Sequence, residues 1–181
     1  MGFFLLSGAT MALSAQAEAP AVPIVVPNYT VTLTAYNAVP EQTDNDPLVT
    51  ASGAYSNPEI IAARSRDLAD ELPFGTIIKI EGPADAQHKC GYGIVSPIIG
   101  YRIIADTMNA RYTDRIDILF SMDSNYRMKS GRMKNAGNVL GICRDVTIRV
   151  VGQLDGKRPG RFPKTQIELA ALVEGTNLAL R

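Results

Sequence analysis

The residues best placed to do chemistry are two aspartates eleven positions apart, in the stretch IIADTMNARYTDRIDILF over residues 103–120. Asp106 ends one apolar run and Asp117 interrupts the next. Burying a carboxylate without a partner is expensive, so acids in such runs need a reason. Two strands joined by the polar turn between them bring the carboxyls together. Mutual repulsion added to desolvation then raises the pKa of one of them, and a raised carboxyl pKa suits a general acid near neutral pH. The structural alternative is a pair that caps turns or pairs with Arg111 and Arg115.

Other chemistries are poorly supplied. The one histidine, His88, is the only candidate for a Ser-His-Asp triad, and a multi-histidine zinc site within the chain is excluded. Two cysteines cannot by themselves build a zinc ribbon or an iron–sulfur site. Cys90 and Cys143 instead suit one disulfide in an oxidising compartment, closing a loop of about fifty residues worth roughly 4 kcal/mol in the chain-entropy description. The alternative is a nucleophilic Cys90 thiol, with His88 two residues before it. No glycine-rich phosphate loop and no βαβ pattern is visible, which removes the common nucleotide-binding readings. Eighteen Lys and Arg balance eighteen Asp and Glu, so a strongly basic nucleic-acid binder is disfavoured. No metal or cofactor is expected.

The elements that must carry these residues read as short strands between long loops. Residues 3–15, FFLLSGATMALSA, followed by Ala15-Gln16-Ala17, resemble a secretory signal (1–17), although no Lys or Arg precedes Arg64. A proline-rich leader is expected over 18–28. Residues 29–36 alternate Val31, Leu33 and Ala35 against threonines, the period-two pattern of a half-buried strand. A long loop is expected over 37–58, a short apolar piece at 60–63 with a helical turn near 67–72, and a turn at 73–76. Strands follow at 77–80, 101–105, 116–120 and 145–152, with a loop over 82–97. Residues 123–138, polar and basic, read as a helix broken at Gly131. After a linker, 165–174 has helical spacing at Ile167, Ala170, Ala171 and Val173 and is expected to end at Gly175. Several short strands with long loops indicate an all-β barrel rather than a doubly wound α/β sheet.

Six segments recur in order: T-A-Y (34–36), T-D-N-D-P-L-V-T-A-S-G (43–53), S-R-D-L (65–68), L-P-F-G-T (72–76), A-D-T-M-N (105–109) and R-I-D (115–117). Together they resemble the 3D, or Asp-Asp-Asp, domain, a family related to the catalytic barrel of membrane-bound lytic transglycosylase A. The resemblance covers about residues 30–152. It implies a six-stranded double-psi β-barrel over 29–152, with residues 153–181 as a linker and short C-terminal helical extension. It also implies an exported, periplasmic protein acting on peptidoglycan glycan strands. The R-x-D aspartate, the acid/base of those relatives, falls on Asp117, the D-T aspartate on Asp106, and the first family aspartate on Asp67. The family's D-T-G-G is here Asp106-Thr107-Met108-Asn109.

On this reading Asp117 protonates the glycosidic oxygen between N-acetylmuramic acid and N-acetylglucosamine and then takes the proton of the muramyl C6 hydroxyl, leaving a 1,6-anhydro end. Tyr36, Thr50, Ser52, Thr107, Asn109 and Arg115 are the expected substrate contacts. Tyr55, Tyr101, Tyr112 and Tyr126 are further aromatic platforms in a chain without Trp. Thr50 and Ser52 have an alternative role in stabilising a turn. Residues 102–164 hold thirteen bases against six acids, with Arg127, Lys129, Arg132 and Lys134 clustered as a basic rim or a solvated face. The competing readings are a catalytically idle barrel that binds cell-wall glycan or a cell-envelope partner protein, and a hydrolytic muramidase.

Overall fold

The computed structural model describes residues 26–43, 46–83 and 90–179. The expected signal, the leader up to Val25, Asp44, Asn45 and His88 lie outside the described residues. The fold is mainly β, with a few short helices, as the spacing of apolar runs predicts.

Six strands form one hydrogen-bonded ring: β1 (Asn28–Asn37), β2 (Ile61–Arg64), β3 (Thr76–Pro83), β4 (Tyr101–Thr107), β5 (Arg115–Phe120) and β8 (Cys143–Gln153). The order is β1-β5-β2-β4-β3-β8, and β8 pairs again with β1. The β1–β5 and β2–β4 pairs are parallel, and the other four are antiparallel. Within the ring each of the six strands is paired on both sides, so none of them presents a free edge, the feature that otherwise invites aggregation.

The strands form because their alternation supplies two apolar faces. Leu33, Ala62, Ile104, Ile116, Ile118 and Ile148 meet in one buried cluster. Tyr36, Ile61, Ala63, Ile103, Ala105 and Leu119 lie in a second, on the opposite face of the same strands. That second face needs a cover, and α3 (Gln166–Ala179) provides part of it. Leu169 and Val173, one helical turn apart, are buried there with Phe162. The Gln166 side chain fixes the start of α3, accepting from the Tyr101 N–H at 3.1 Å and donating to the Tyr101 carbonyl at 2.7 Å.

Several local expectations are corrected. Residues 123–138 are not a helix. They form a hairpin, β6 (Asn125–Arg127) and β7 (Met133–Asn135), followed by α2 (Ala136–Leu140). Gly131, at φ +81°, makes the turn, and within the hairpin Tyr126 alone packs towards the core, so no helical apolar stripe exists to bury. The loop over 82–97 includes α1 (Tyr92–Val95) and a 3₁₀ turn at Ser96–Ile98. Ile167 is 83% exposed rather than packed, because the buried pair is Leu169 and Val173. The helix also runs through Gly175 to Ala179. A lone glycine weakens a helix by about 1 kcal/mol but need not end it.

Cys90 and Cys143 form the expected disulfide, with Cα atoms 5.3 Å apart across 53 positions. It ties the segment before α1 to the start of β8. Gly75, in the L-P-F-G-T turn, has φ +93°, and a β-carbon there would strike the Leu154 carbonyl oxygen. Its N–H donates to the Ile104 carbonyl at 2.8 Å, so the turn is bound to β4.

Gly75→Ala is expected to destabilise the protein by on the order of 2 kcal/mol or more, through strain and the clash together. Replacing both cysteines by Ser is expected to cost roughly 4 kcal/mol, the loop-closure value. Urea unfolding of each variant, compared with the parent under non-reducing conditions, checks both figures.

Candidate functional site

Two strand registers converge on one residue. Ala63 of β2 lies opposite Asp117 of antiparallel β5 and opposite Asp106 of parallel β4. Residues in register share a face, so both aspartates stand on the Ala63 side. Their backbones are two strand spacings apart, about 10 Å. Alternation alone does not produce this. Asp117 sits between Ile116 and Ile118, both in the first buried cluster, and so faces the other way. Asp106 comes two residues after Ile104, which belongs to that same cluster, so an unbroken pleat would turn Asp106 inward with it. The register shift between Ala62 and Ala63 passes over Ala105 and puts Asp106 on the face of Ala63. The small Ala63 side chain keeps the space between the carboxyls open.

The two carboxyls have different surroundings. Asp106 accepts three hydrogen bonds: from the Tyr36 hydroxyl at 2.9 Å, the Ala51 N–H at 3.0 Å and the Thr107 N–H at 2.8 Å. Asp117 has almost no such support. Its Oδ1 is buried and, among the described residues, has no hydrogen-bond partner. Burial pushes the Asp117 carboxyl above its ordinary value, and the Asp106 charge adds to this, while Thr34 and Arg115 oppose it. Thr34 stands opposite Asp117 in the β1–β5 register. Burial, with the neighbouring Asp106, pushes the Tyr36 phenol well up, so it stays a proton donor to Asp106.

Above this floor is an open cleft of about 860 Å³. Asp117, Asp106, Tyr36, Thr107 and Asn109 line it, as the sequence reading expects, and Tyr112 does so too. Asp67, Thr50, Ser52 and Arg115 do not. Asp67 accepts the Asp114 N–H at 2.8 Å and supports that residue's positive φ of 48°. Desolvation raises the Asp67 carboxyl, but the Asp114 N–H, the Ser65 hydroxyl and its own backbone together outweigh it and hold the group below the usual value. Thr50 is buried in a turn, where its hydroxyl accepts the Ala54 N–H at 3.1 Å and meets Ser52 Oγ at 3.1 Å. The Ser52 N–H donates to the Ala105 carbonyl at 3.0 Å, next to the bulge. The Thr50 turn therefore supports Asp106 through its backbone. Arg115 is not among the cleft-lining residues; its guanidinium lies 4.6 Å from the Tyr112 ring centroid.

Sequence reasoning missed Glu41, Gln42, Arg66 and Phe74, all of which line the cleft. They come from irregular segments whose position only tertiary contacts decide. Gln42 is an example, since its side chain accepts the Asn37 N–H at 2.9 Å and folds the loop back on β1. Arg102 was missed as well. It is wholly buried and donates to the carbonyls of Ile99 at 2.7 Å, Pro58 at 2.6 Å and Ile98 at 3.0 Å. Burial pulls its pKa down to about 9. Arg127, Lys129, Arg132 and Lys134 are not among the cleft-lining residues, so the expected basic rim is not theirs. Comparison with protein-family models finds no matching family, and comparison with curated proteins finds no matching relative.

A raised carboxyl pKa has a consequence for stability. The contribution of neutral Asp117 is complete at low pH and is lost as pH rises through its raised folded-state value. Asn is neutral throughout. Asp117→Asn is therefore expected to melt at a higher temperature than the parent at pH 7, with the difference shrinking as pH falls through the raised Asp117 value and gone below about 4, where the carboxyl is protonated in both folded and unfolded chains. Thermal unfolding across pH checks this; a less stable variant at pH 7 contradicts it.

Proposed function

We propose that the protein is an exported peptidoglycan-active enzyme, a lytic transglycosylase built on a double-psi β-barrel. The strand pairing supports that topology. Exchanging β1, β2 and β3 for β4, β5 and β8 maps every pairing onto another of the same sense. The parallel β1–β5 pair becomes β4–β2, the antiparallel β4–β3 pair becomes β1–β8, and β5–β2 and β3–β8 map onto themselves. Two interlocked copies of one three-strand motif give this symmetry. The disulfide is compatible with export.

One observation carries the catalytic reading: Asp117 lines an open cleft, yet burial raises its carboxyl pKa and its Oδ1 has no partner. An acid in that state is protonated nearer to neutral pH and can give its proton to a leaving oxygen. In the proposed reaction Asp117 donates that proton to the glycosidic oxygen as the bond to the muramyl anomeric carbon breaks. The resulting carboxylate then accepts the proton of the muramyl C6 hydroxyl, whose oxygen bonds to the same carbon. Asp117 ends protonated, no water is consumed, and the product is a 1,6-anhydro end. Asp106, fixed by Tyr36 and two backbone N–H groups, supplies the negative charge that keeps the Asp117 proton in place and stabilises positive charge developing on the sugar. A single acid/base suffices because the nucleophile belongs to the substrate, unlike the two-carboxylate glycosidases.

The test is digestion of purified peptidoglycan sacculi, with soluble products read by mass spectrometry. The expected products are anhydro-muropeptides. Asp117→Asn is expected to lower their rate of release by about a hundredfold or more with folding retained. Reducing ends that incorporate water would make the enzyme a hydrolase. Sedimentation with sacculi without any product would leave a glycan-binding module.

A further inference from the structure

The cleft is polarised along its length. β1 and β5 run parallel, from the Thr32–Arg115 pair to the Asn37–Phe120 pair, with Asp117 between. At the Phe120 end the chain leaves β1 and returns over the cleft through Glu41 and Gln42. At the Arg115 end stand two arginines, Arg66 and Arg111, both exposed and both lining the cleft. They come from separate segments that are bound tightly together. The Met108 N–H donates to the Arg64 carbonyl at 2.9 Å and the Ser65 N–H to the Arg115 carbonyl at 2.9 Å. The Arg115 N–H donates to Ser65 Oγ at 3.0 Å and the Asp114 N–H to Asp67 Oδ2 at 2.8 Å. Arg66 sits inside this laced stretch, and Arg111 sits on the adjoining turn.

Arg111 is also held from the side. Its Nη2 donates to the Tyr112 hydroxyl at 3.0 Å, and its guanidinium lies 4.8 Å from the Tyr112 ring centroid. Arg115 packs on the same ring. A guanidinium stacked on an aromatic ring has lost part of its freedom before any ligand arrives. Among the described residues, no carboxylate forms an ion pair with Arg66 or Arg111. Arg111, held on Tyr112, and Arg66, on the laced backbone beside it, are two cations without a carboxylate partner among the described residues; lining a cleft whose other end carries an acid, they form a receptor for an anion. The planar donor fork of arginine fits a carboxylate in particular.

We infer that Arg66 and Arg111 bind a carboxylate substituent of the glycan, so that the cleft takes an acidic, carboxylate-bearing sugar polymer and fixes its direction. This rests on the glycan reading above and adds which residues read the carboxylate and which way the polymer runs. The carboxylate-bearing unit lies towards the Arg115 end of β5, and Glu41 repels it from the other end. A neutral amino-sugar polymer offers nothing to either arginine.

Binding is measured by calorimetry at low salt, on an Asp117→Asn background so that no substrate is consumed. The probes are a murein tetrasaccharide without stem peptides, which carries free lactyl carboxylates, and neutral chitotetraose of equal length. The background protein is expected to bind the acidic sugar at least about tenfold more tightly, as for one charge-assisted contact. Adding Arg66→Gln and Arg111→Gln is expected to bring the two affinities within about twofold, with retained circular dichroism showing an intact fold. Equal affinities in the background protein, or a preference that survives the double substitution, overturns the inference. The parent reading fails separately: intact sacculi after incubation with the wild-type chain, alongside the preference for the acidic sugar, removes the enzyme and leaves the carboxylate receptor standing.

Discussion

A carboxyl group set on a strand with one oxygen shut away from any partner is the constraint on which the site depends. Asp117 is costly to ionise there, and nothing in the described residues offers its Oδ1 a hydrogen bond. A sequence selected only for stability would place a neutral or apolar side chain at that position, between Ile116 and Ile118. Natural proteins tolerate such local cost where function requires it. The neighbouring carboxyl is arranged the other way. Asp106 accepts from a phenol and two backbone N–H groups, whereas Asp117 Oδ1 has no hydrogen-bond partner among the described residues. Two identical side chains thereby receive different roles from their surroundings.

The fold supplies that difference through register. Parallel β2–β4 and antiparallel β2–β5 pairings put both acids beside Ala63, and the bulge at Ala105 turns Asp106 to the correct face. The supports of Asp106 come from distant places: Tyr36 from the end of β1, and Ala51 from the loop whose Ser52 N–H binds the Ala105 carbonyl. Arg102, wholly buried, donates to the Ile98 and Ile99 carbonyls at the end of the 3₁₀ turn and to the Pro58 carbonyl, tying that turn to the Pro58 segment. Cys90–Cys143 ties the segment before α1 to the start of β8.

Much of this arrangement is legible in the residues. The alternating threonines of 29–36 give β1, the apolar runs give β4 and β5, and an acid at the end of one run and inside the next marks the pair. The disulfide follows from two cysteines alone. The hairpin at 125–135 was not legible as such, because four cations spaced through a polar stretch suit a helix surface equally well, and only the Gly131 turn and the packing of Tyr126 decide. The role of Asp67 was hidden for another reason: its partner, the Asp114 N–H, is 47 positions away. Thr50 and Ser52 read as substrate contacts or as turn residues; their hydroxyls meet each other, and neither lines the cleft. The bulge that aims Asp106 leaves no mark in composition or spacing, since Ala105 is an ordinary strand residue until its partners are known.

The most direct measurement is a carbon-13 NMR titration of the Asp117 side-chain carboxyl in the intact protein, repeated in Asp106→Asn. The account predicts that Asp117 titrates above the ordinary aspartate value of about 3.9 and that its midpoint falls when Asp106 is replaced. A midpoint at or below the ordinary value in the parent protein, unmoved by the Asp106 substitution, would contradict it.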